Sequence, residues 1–257
     1  MNLQFDIRLA KGYKSNSQRI RVLTEDWVCR NLYCPICGKS ILTHYENNKP
    51  VADFFCEDCK SDFELKSKES NQGKLGNKIA DGAYDTMISR ITSQQNPNFF
   101  FLTYSKNTVN NFLLIPKHFF LPKIIEKRKP LSDTAQRAEW IGCNIIIKEI
   151  PERCKIFIVK NSLEIDKKQV LTDYKRAELL RTNNLESRGW IMDVLNCLGK
   201  IGTKDFTLQQ VYNFADELQI KHPENNYVRD KIRQQLQYLR DKGFIEFTTR
   251  GNYRKIE

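Results

Sequence analysis

The sequence predicts an α/β (α+β) domain with an inserted four-cysteine site, followed by a smaller domain of three helices and a hairpin. Three observations carry that expectation. Two Cys-x2-Cys pairs, Cys34/Cys37 and Cys56/Cys59, are separated by eighteen residues. Apolar strand-like runs, such as FFFLTY at 99–104, alternate with helical stretches up to residue 181. Beyond residue 187 the apolar spacing gives helix, helix, helix, strand, strand.

Taken in chain order, Ile20, Leu23, Trp27 and Val28 stand at helical spacing and predict a helix over 17–31, with Ser17 as its N-cap. Residues 50–56 and 61–66 alternate and are expected to be strands. A helix is expected over 77–92, with Ile79, Ala83, Met87, Ile88 and Ile91 as its apolar stripe. Strands follow at 99–104, 111–115, 143–150 and 155–159, then a helix at 166–181. The segment TNNLES at 182–187 reads as a linker, which divides the chain into 1–182 and 183–257. In the second part a helix covers 188–198, and Thr207-Leu-Gln-Gln210 is a capping-box start for the next. Asn225 or Asn226 opens the third, whose apolar face is Val228, Ile232, Leu236 and Leu239. Lys242-Gly243 ends it, and strands at 244–247 and 253–256 flank a turn at Arg250-Gly251-Asn252.

The chain's 257 residues suit one large domain or two modest ones, and 40% hydrophobic content supports a buried core. No stretch approaches ~18 uninterrupted apolar residues, which excludes a membrane-spanning helix. The N-terminus lacks the apolar run of a secretion signal, so a cytoplasmic protein is expected. A net charge of +11 favours an anionic partner, nucleic acid before membrane surface. The first 184 residues carry +9 and the remainder only +2, but residues 225–257 alone hold eight basic side chains against four acidic.

In a reducing compartment structural disulfides are rare. Cys34, Cys37, Cys56 and Cys59 therefore read as ligands of a Zn²⁺ ion, two thiolates from each of two tight turns. Four cysteines fill the coordination shell, so the expected role is structural. Cys29, Cys143, Cys154 and Cys197 are expected to be ordinary buried thiols.

The chemistry lies beside that site. If 51–66 folds as a hairpin about Asp58-Cys59, Asp53 faces Glu64 and Val51 faces Lys66. Period-two alternation puts Asp53, Glu64 and Lys66 on one face, with Ala52, Phe54, Phe63 and Leu65 on the apolar other. Two carboxylates so placed repel unless a cation sits between them. Hard oxygen ligands suit Mg²⁺, and an adjacent lysine can orient an attacking water, the equipment for phosphodiester hydrolysis. The competing interpretation is a surface salt bridge on an amphipathic hairpin.

Asp53…Glu64-Leu65-Lys66 is similar to the PD-(D/E)xK nuclease motif, with Ala52 where that motif often has proline. The order of elements in 187–257 resembles a winged helix-turn-helix. Over its full length the chain resembles the Dam-replacing family of type IIM restriction endonucleases. That resemblance implies Mg²⁺-dependent cutting of double-stranded DNA at GATC bearing N6-methyladenine, blunt between methyladenine and thymine. It also implies Asp53 and Glu64 as metal ligands and Lys66 as the water-positioning residue.

Candidate DNA contacts in the second domain are Asn226, Arg229, Asp230, Arg233, Gln234, Arg250 and Lys255, with Gln237 beside them. Amide and guanidinium groups there suit base edges in the major groove. Trp140 is a candidate for a methylated-base pocket, with core packing the equal alternative. Glu25 stands as an auxiliary acid or a solvated helix position. His44, His118 and His222 form no triad-like pattern and are expected at surfaces or caps. The loop 67–78 is polar and cationic and is placed to meet phosphates, or is simply a connector. One Asp-Glu-Lys hairpin per chain implies one active site, and a monomer is expected. Two alternatives stay open: a zinc-containing winged-helix regulator with inert carboxylates, and a repair or RNA nuclease lacking sequence discrimination.

Overall fold

The computed structural model of the chain describes residues 1–46, 52–70 and 74–256. It contains two compact units. The first joins 1–149 with 154–178, and the second joins 150–153 with 179–257.

In the first unit, helix α1 (Asn16–Asn31) is followed by strands β1 (Thr43–His44), β2 (Phe54–Phe55), β3 (Asp62–Glu69) and β4 (Ile79–Ala83). Helix α2 (Tyr84–Thr92) leads to β5 (Asn98–Ser105), β6 (Thr108–Ile115), β7 (Ile125–Lys127) and β8 (Gly142–Ile145). Strands β9 (Ile156–Lys160) and β10 (Leu163–Glu164) and helix α3 (Lys167–Glu178) complete the unit. The main sheet runs β1-β2-β3-β5-β6-β9-β10, and a second sheet runs β4-β8-β7. Among the described residues only β3 and β5 are parallel in the main sheet. Strand β5 is buried from Asn98 to Tyr104, as its unbroken apolar run requires of a central strand. Phe63 stacks on Phe100 (4.6 Å), Phe100 meets Phe112 (5.0 Å), and Phe112 meets Trp27 of α1 (5.3 Å). This aromatic chain fixes α1 against the sheet.

The second unit comprises α4 (Leu185–Lys200), β11 (Asp205–Thr207), α5 (Leu208–Tyr212), α6 (Ala215–Lys221), α7 (Val228–Asp241), β12 (Ile245–Thr249) and β13 (Asn252–Lys255). Its three strands lie in the order β11-β13-β12. Helix α7 buries Val228, Ile232, Leu236 and Leu239 against α4, α5, α6 and β12. Gly243, at φ +72°, stops it in the left-handed region that glycine adopts freely. The Thr207–Gln210 capping box is present in full at the start of α5.

Several expectations are corrected. Residues 77–92 are not one helix: Ile79–Ala83 pairs with β8, and helix begins only at Tyr84. Strand pairing across the sheet overrides a stripe that Gly82 and Asp81 already weaken as helix formers. The strand expected at 143–150 ends at Ile145, and 147–149 form a single 3-10 turn. In the strand expected at 50–56, Phe54–Phe55 is strand while Ala52 and Asp53 are not; Pro50 and Val51, the latter expected opposite Lys66, lie outside the described residues. The expected loop 67–78 begins late, because β3 continues through Glu69 along β5, and its residues 71–73 also lie outside the described residues. Helix α1 starts at Asn16, after Ser15, and Ser17 is not its cap. Half of the 182–187 stretch is helix, since α4 opens at Leu185 and Asn184 caps it by accepting from the Ser187 N–H (2.8 Å). Strand β11 was not foreseen, the second helix is two short ones, and α7 begins at Val228. Cys29 is exposed, while Cys143, Cys154 and Cys197 are buried. His118 is also buried, its Nε2 3.2 Å from the Ala177 carbonyl.

Candidate active site and metal centre

The four cysteines converge. Their Sγ atoms lie within 4.8 Å of one another, with Cys34–Cys59 at 3.6 Å and Cys37–Cys56 at 3.5 Å. Sulfurs tetrahedrally disposed about zinc at ~2.3 Å would stand roughly 3.8 Å apart, so the donor set fits that ion. Both turns are built alike. The Cys34 N–H reaches the Lys39 carbonyl (2.7 Å) and the Cys56 N–H the Ser61 carbonyl (3.0 Å). Gly38 (φ +85°) and Lys60 (φ +57°) follow the second cysteine of each pair. Backbone N–H groups of Ile36 and Cys37 point at the Cys34 sulfur, and those of Asp58 and Cys59 at Cys56. Burial nevertheless pushes the Cys34 thiol far up. Four cysteines so grouped can hold a metal ion such as zinc.

The second turn leads straight into the hairpin. Phe54 pairs with Phe63 and Phe55 with Asp62, so Asp53 stands opposite Glu64. The Asp53 N–H donates to the Phe63 carbonyl (2.9 Å), and the Leu65 N–H donates to Asp53 Oδ2 (2.6 Å). Asp53, Glu64 and Lys66 line one cleft of about 320 Å³, together with Arg21, Glu25 and Ser67. Phe54, Phe63 and Ala52 are buried as the alternation requires, but Leu65 is half-buried and lines the cleft.

Lys66 Nζ lies 2.5 Å from Glu64 Oε1 and also pairs with Asp81 of β4. Burial by itself would depress this ammonium, but Glu64 and Asp81 together hold its pKa above the ordinary lysine value. Burial raises the Glu64 carboxyl, Lys66 draws it back, and Asp81 and Asp53 push it up again. Arg90 of α2 stands 3.9 Å from Glu64 Oε2. The cleft thus sets two facing acids beside a largely covered ammonium, with Glu25 and Arg21 also in its wall and room for a ligand, an arrangement suited to a divalent ion and a phosphate.

Glu25 is not solvated. Its side chain is 14% exposed, accepts from Arg21 Nε (2.7 Å) and lies 3.3 Å from His44 Nε2. Trp140 does not line this cleft; its ring lies over Gly142, where a Cβ would come within 2.7 Å of it. Asp81 escaped the sequence reading because it was assigned to a helix. The signal that could have found it is the Asp81-Gly82 pair, two poor helix formers near the start of the expected helix.

In the second unit Asn226, Arg229, Asp230, Arg233, Gln234 and Gln237 are exposed beside or along α7. Arg229 lies over the Tyr212 ring (5.4 Å), and Arg233 is paired with Asp230 (2.5 Å). Arg250 is exposed at the hairpin turn. Lys255 departs from the expected set: its Nζ donates to the Ile201 carbonyl, and burial together with Arg153 lowers its pKa. His222 is no surface group either. It stacks on buried Trp190 (3.8 Å) and sits 2.8 Å from Asp193 Oδ2.

Comparison with protein families decides the affiliation. The model of the Dam-replacing family, DpnI, matches residues 1–183, and that of the Dam-replacing HTH domain matches 186–255. The chain belongs to the Dam-replacing family. This is a restriction endonuclease family, so membership points to a nuclease, and the HTH domain points to DNA as its partner. Among the described residues no helix is long and apolar enough to cross a membrane.

Proposed function

We propose that this Dam-replacing family member is a Mg²⁺-dependent type II restriction endonuclease. It hydrolyses both strands of double-stranded DNA at GATC carrying N6-methyladenine, with a blunt cut between methyladenine and thymine. The observation that carries the proposal is the gathering of Asp53, Glu64 and Lys66 in one cleft, on the hairpin tied to the four-cysteine cluster.

In this reading residues 1–182 form a PD-(D/E)xK catalytic domain and 183–257 a winged-helix domain that reads DNA. Asp53 and Glu64 would hold Mg²⁺, which supplies positive charge at the scissile phosphate when bound. Lys66 orients the water that attacks phosphorus. Asp53 is fixed for its part by the Leu65 N–H, so the two acids keep their spacing without metal. Cys34, Cys37, Cys56 and Cys59 would hold a structural Zn²⁺ whose closed shell leaves no place for water. Asn226, Arg229, Arg233, Gln234 and Arg250 face DNA, Asp230 orients Arg233, and Trp140 contributes to the methyl pocket. The chain acts as a monomer in the cytoplasm.

Incubating plasmid carrying methylated GATC with the protein and Mg²⁺ tests the assignment. Cleavage that disappears in Asp53→Ala, with DNA binding kept, supports it. A mobility shift without cutting, unaltered in Asp53→Ala, would instead establish a DNA-binding regulator with inert carboxylates.

A further inference from the structure

Lys66 is held by acids from two different sheets. Glu64 stands beside it on β3 of the main sheet, and Asp81 reaches it from β4 of the small one. The Asp81 side chain is only 4% exposed. Its Oδ1 accepts from both Lys66 Nζ and the Gly82 N–H (2.7 Å). The ladder between β4 and β8 is irregular between Asp81 and Ala83, and this irregularity contains Gly82. A carboxylate buried this far persists only when paired, and a surface role cannot account for it.

The arrangement solves a conflict within the cleft. A lysine whose only counter-ion were Glu64 would occupy the oxygen that a divalent cation needs. A second carboxylate lets the ammonium stay in place when Glu64 turns to the metal. We propose that Asp81 is the positioning residue of Lys66: it anchors the ammonium beside the hairpin and keeps Glu64 available for the cation. The proposal rests on the nuclease reading above and adds to it a residue from outside the hairpin motif.

The test uses Asp81→Asn in the full chain, with a cooperative melt as the check on folding. Misplacing a reacting group by about 1 Å can cost ~10²-fold in rate. At saturating Mg²⁺, kcat should therefore fall by about that factor, while KM for methylated DNA stays within about threefold. Calorimetric Mn²⁺ affinity, read without DNA, should weaken about 10–100-fold. That loss should vanish when Asp81→Asn is made in a Lys66→Met background, because no ammonium then remains to fall onto Glu64. Three results would overturn the proposal: cleavage within about twofold of the parent, full rescue by excess Mg²⁺, or an equal loss of Mn²⁺ affinity with Lys66 replaced. If Asp81→Asn loses its melt, Asp81→Ser repeats the measurements, and unfolding of both also overturns it. A parent protein that does not cut sinks the nuclease reading itself, which separates that failure from this one.

Discussion

The carboxylate of Asp53 accepts the backbone N–H of Leu65 at 2.6 Å, so the first acid of the cleft is anchored between the second acid, Glu64, and the lysine, Lys66. The bond spans the hairpin and exists only in the register that pairs Phe54 with Phe63. Asp53→Asn keeps an acceptor for Leu65 but removes the charge. Its melt should stay within a few degrees of the parent, with cleavage lost by at least ~10³-fold and binding of methylated DNA retained. Loss of binding in parallel would argue that the cleft is not catalytic. Lys66→Ala should behave likewise in cleavage, and a collapsed melt there would favour a structural ion pair instead.

The cysteine cluster should be obligatory for that register. Structural zinc contributes ~10–16 kcal/mol in finger peptides, so Cys34→Ser or Cys56→Ser should unfold the hairpin and abolish cleavage indirectly. Metal analysis of purified protein should find one zinc per chain.

The same cluster sets a pH dependence. Burial holds the Cys34 thiol well above its ordinary range, so without metal it keeps its proton, and metal binding must displace it. Zinc uptake should release protons, and apparent zinc affinity should fall as pH is lowered. Titration calorimetry in two buffers of different ionisation enthalpy measures the release; none would contradict thiolate ligation.

Much of this site was legible from residue spacing. The Cys-x2-Cys pairs and the alternation about them give the hairpin register, because period-two patterning leaves one arrangement that buries Phe54 and Phe63 together. Buried α7 positions were equally plain, since Val228, Ile232, Leu236 and Leu239 recur at helical spacing. Asp81 was hidden because β4 owes its existence to pairing with β8, distant in the chain, and local periodicity cannot register such a partner. Lys255 shows a related limit: spacing marks it as a basic residue on a hairpin strand, and cannot show that its Nζ donates to the Ile201 carbonyl.

That difference yields a test on the second domain. Arg229→Ala and Arg250→Ala should each weaken DNA binding and reduce the slope of log affinity against log salt by about 1. Lys255→Ala should leave that slope unchanged. An equal loss of slope in all three would place Lys255 at the phosphates after all.

One Asp53–Glu64–Lys66 set per chain also bears on the order of cutting. A monomer must hydrolyse the two strands in separate events, so nicked plasmid should accumulate before linear product. Linear product appearing without a nicked stage would instead require two chains acting together on DNA.

Methyl-directed cleavage is tested most directly by comparing two states of one DNA. Two preparations of the same plasmid, one carrying N6-methyladenine at every GATC and one with none, are incubated with the protein and Mg²⁺. Discrete fragments ending between methyladenine and thymine, from the methylated plasmid alone, are the predicted result. Equal cutting of both plasmids, or a smear from either, would contradict it.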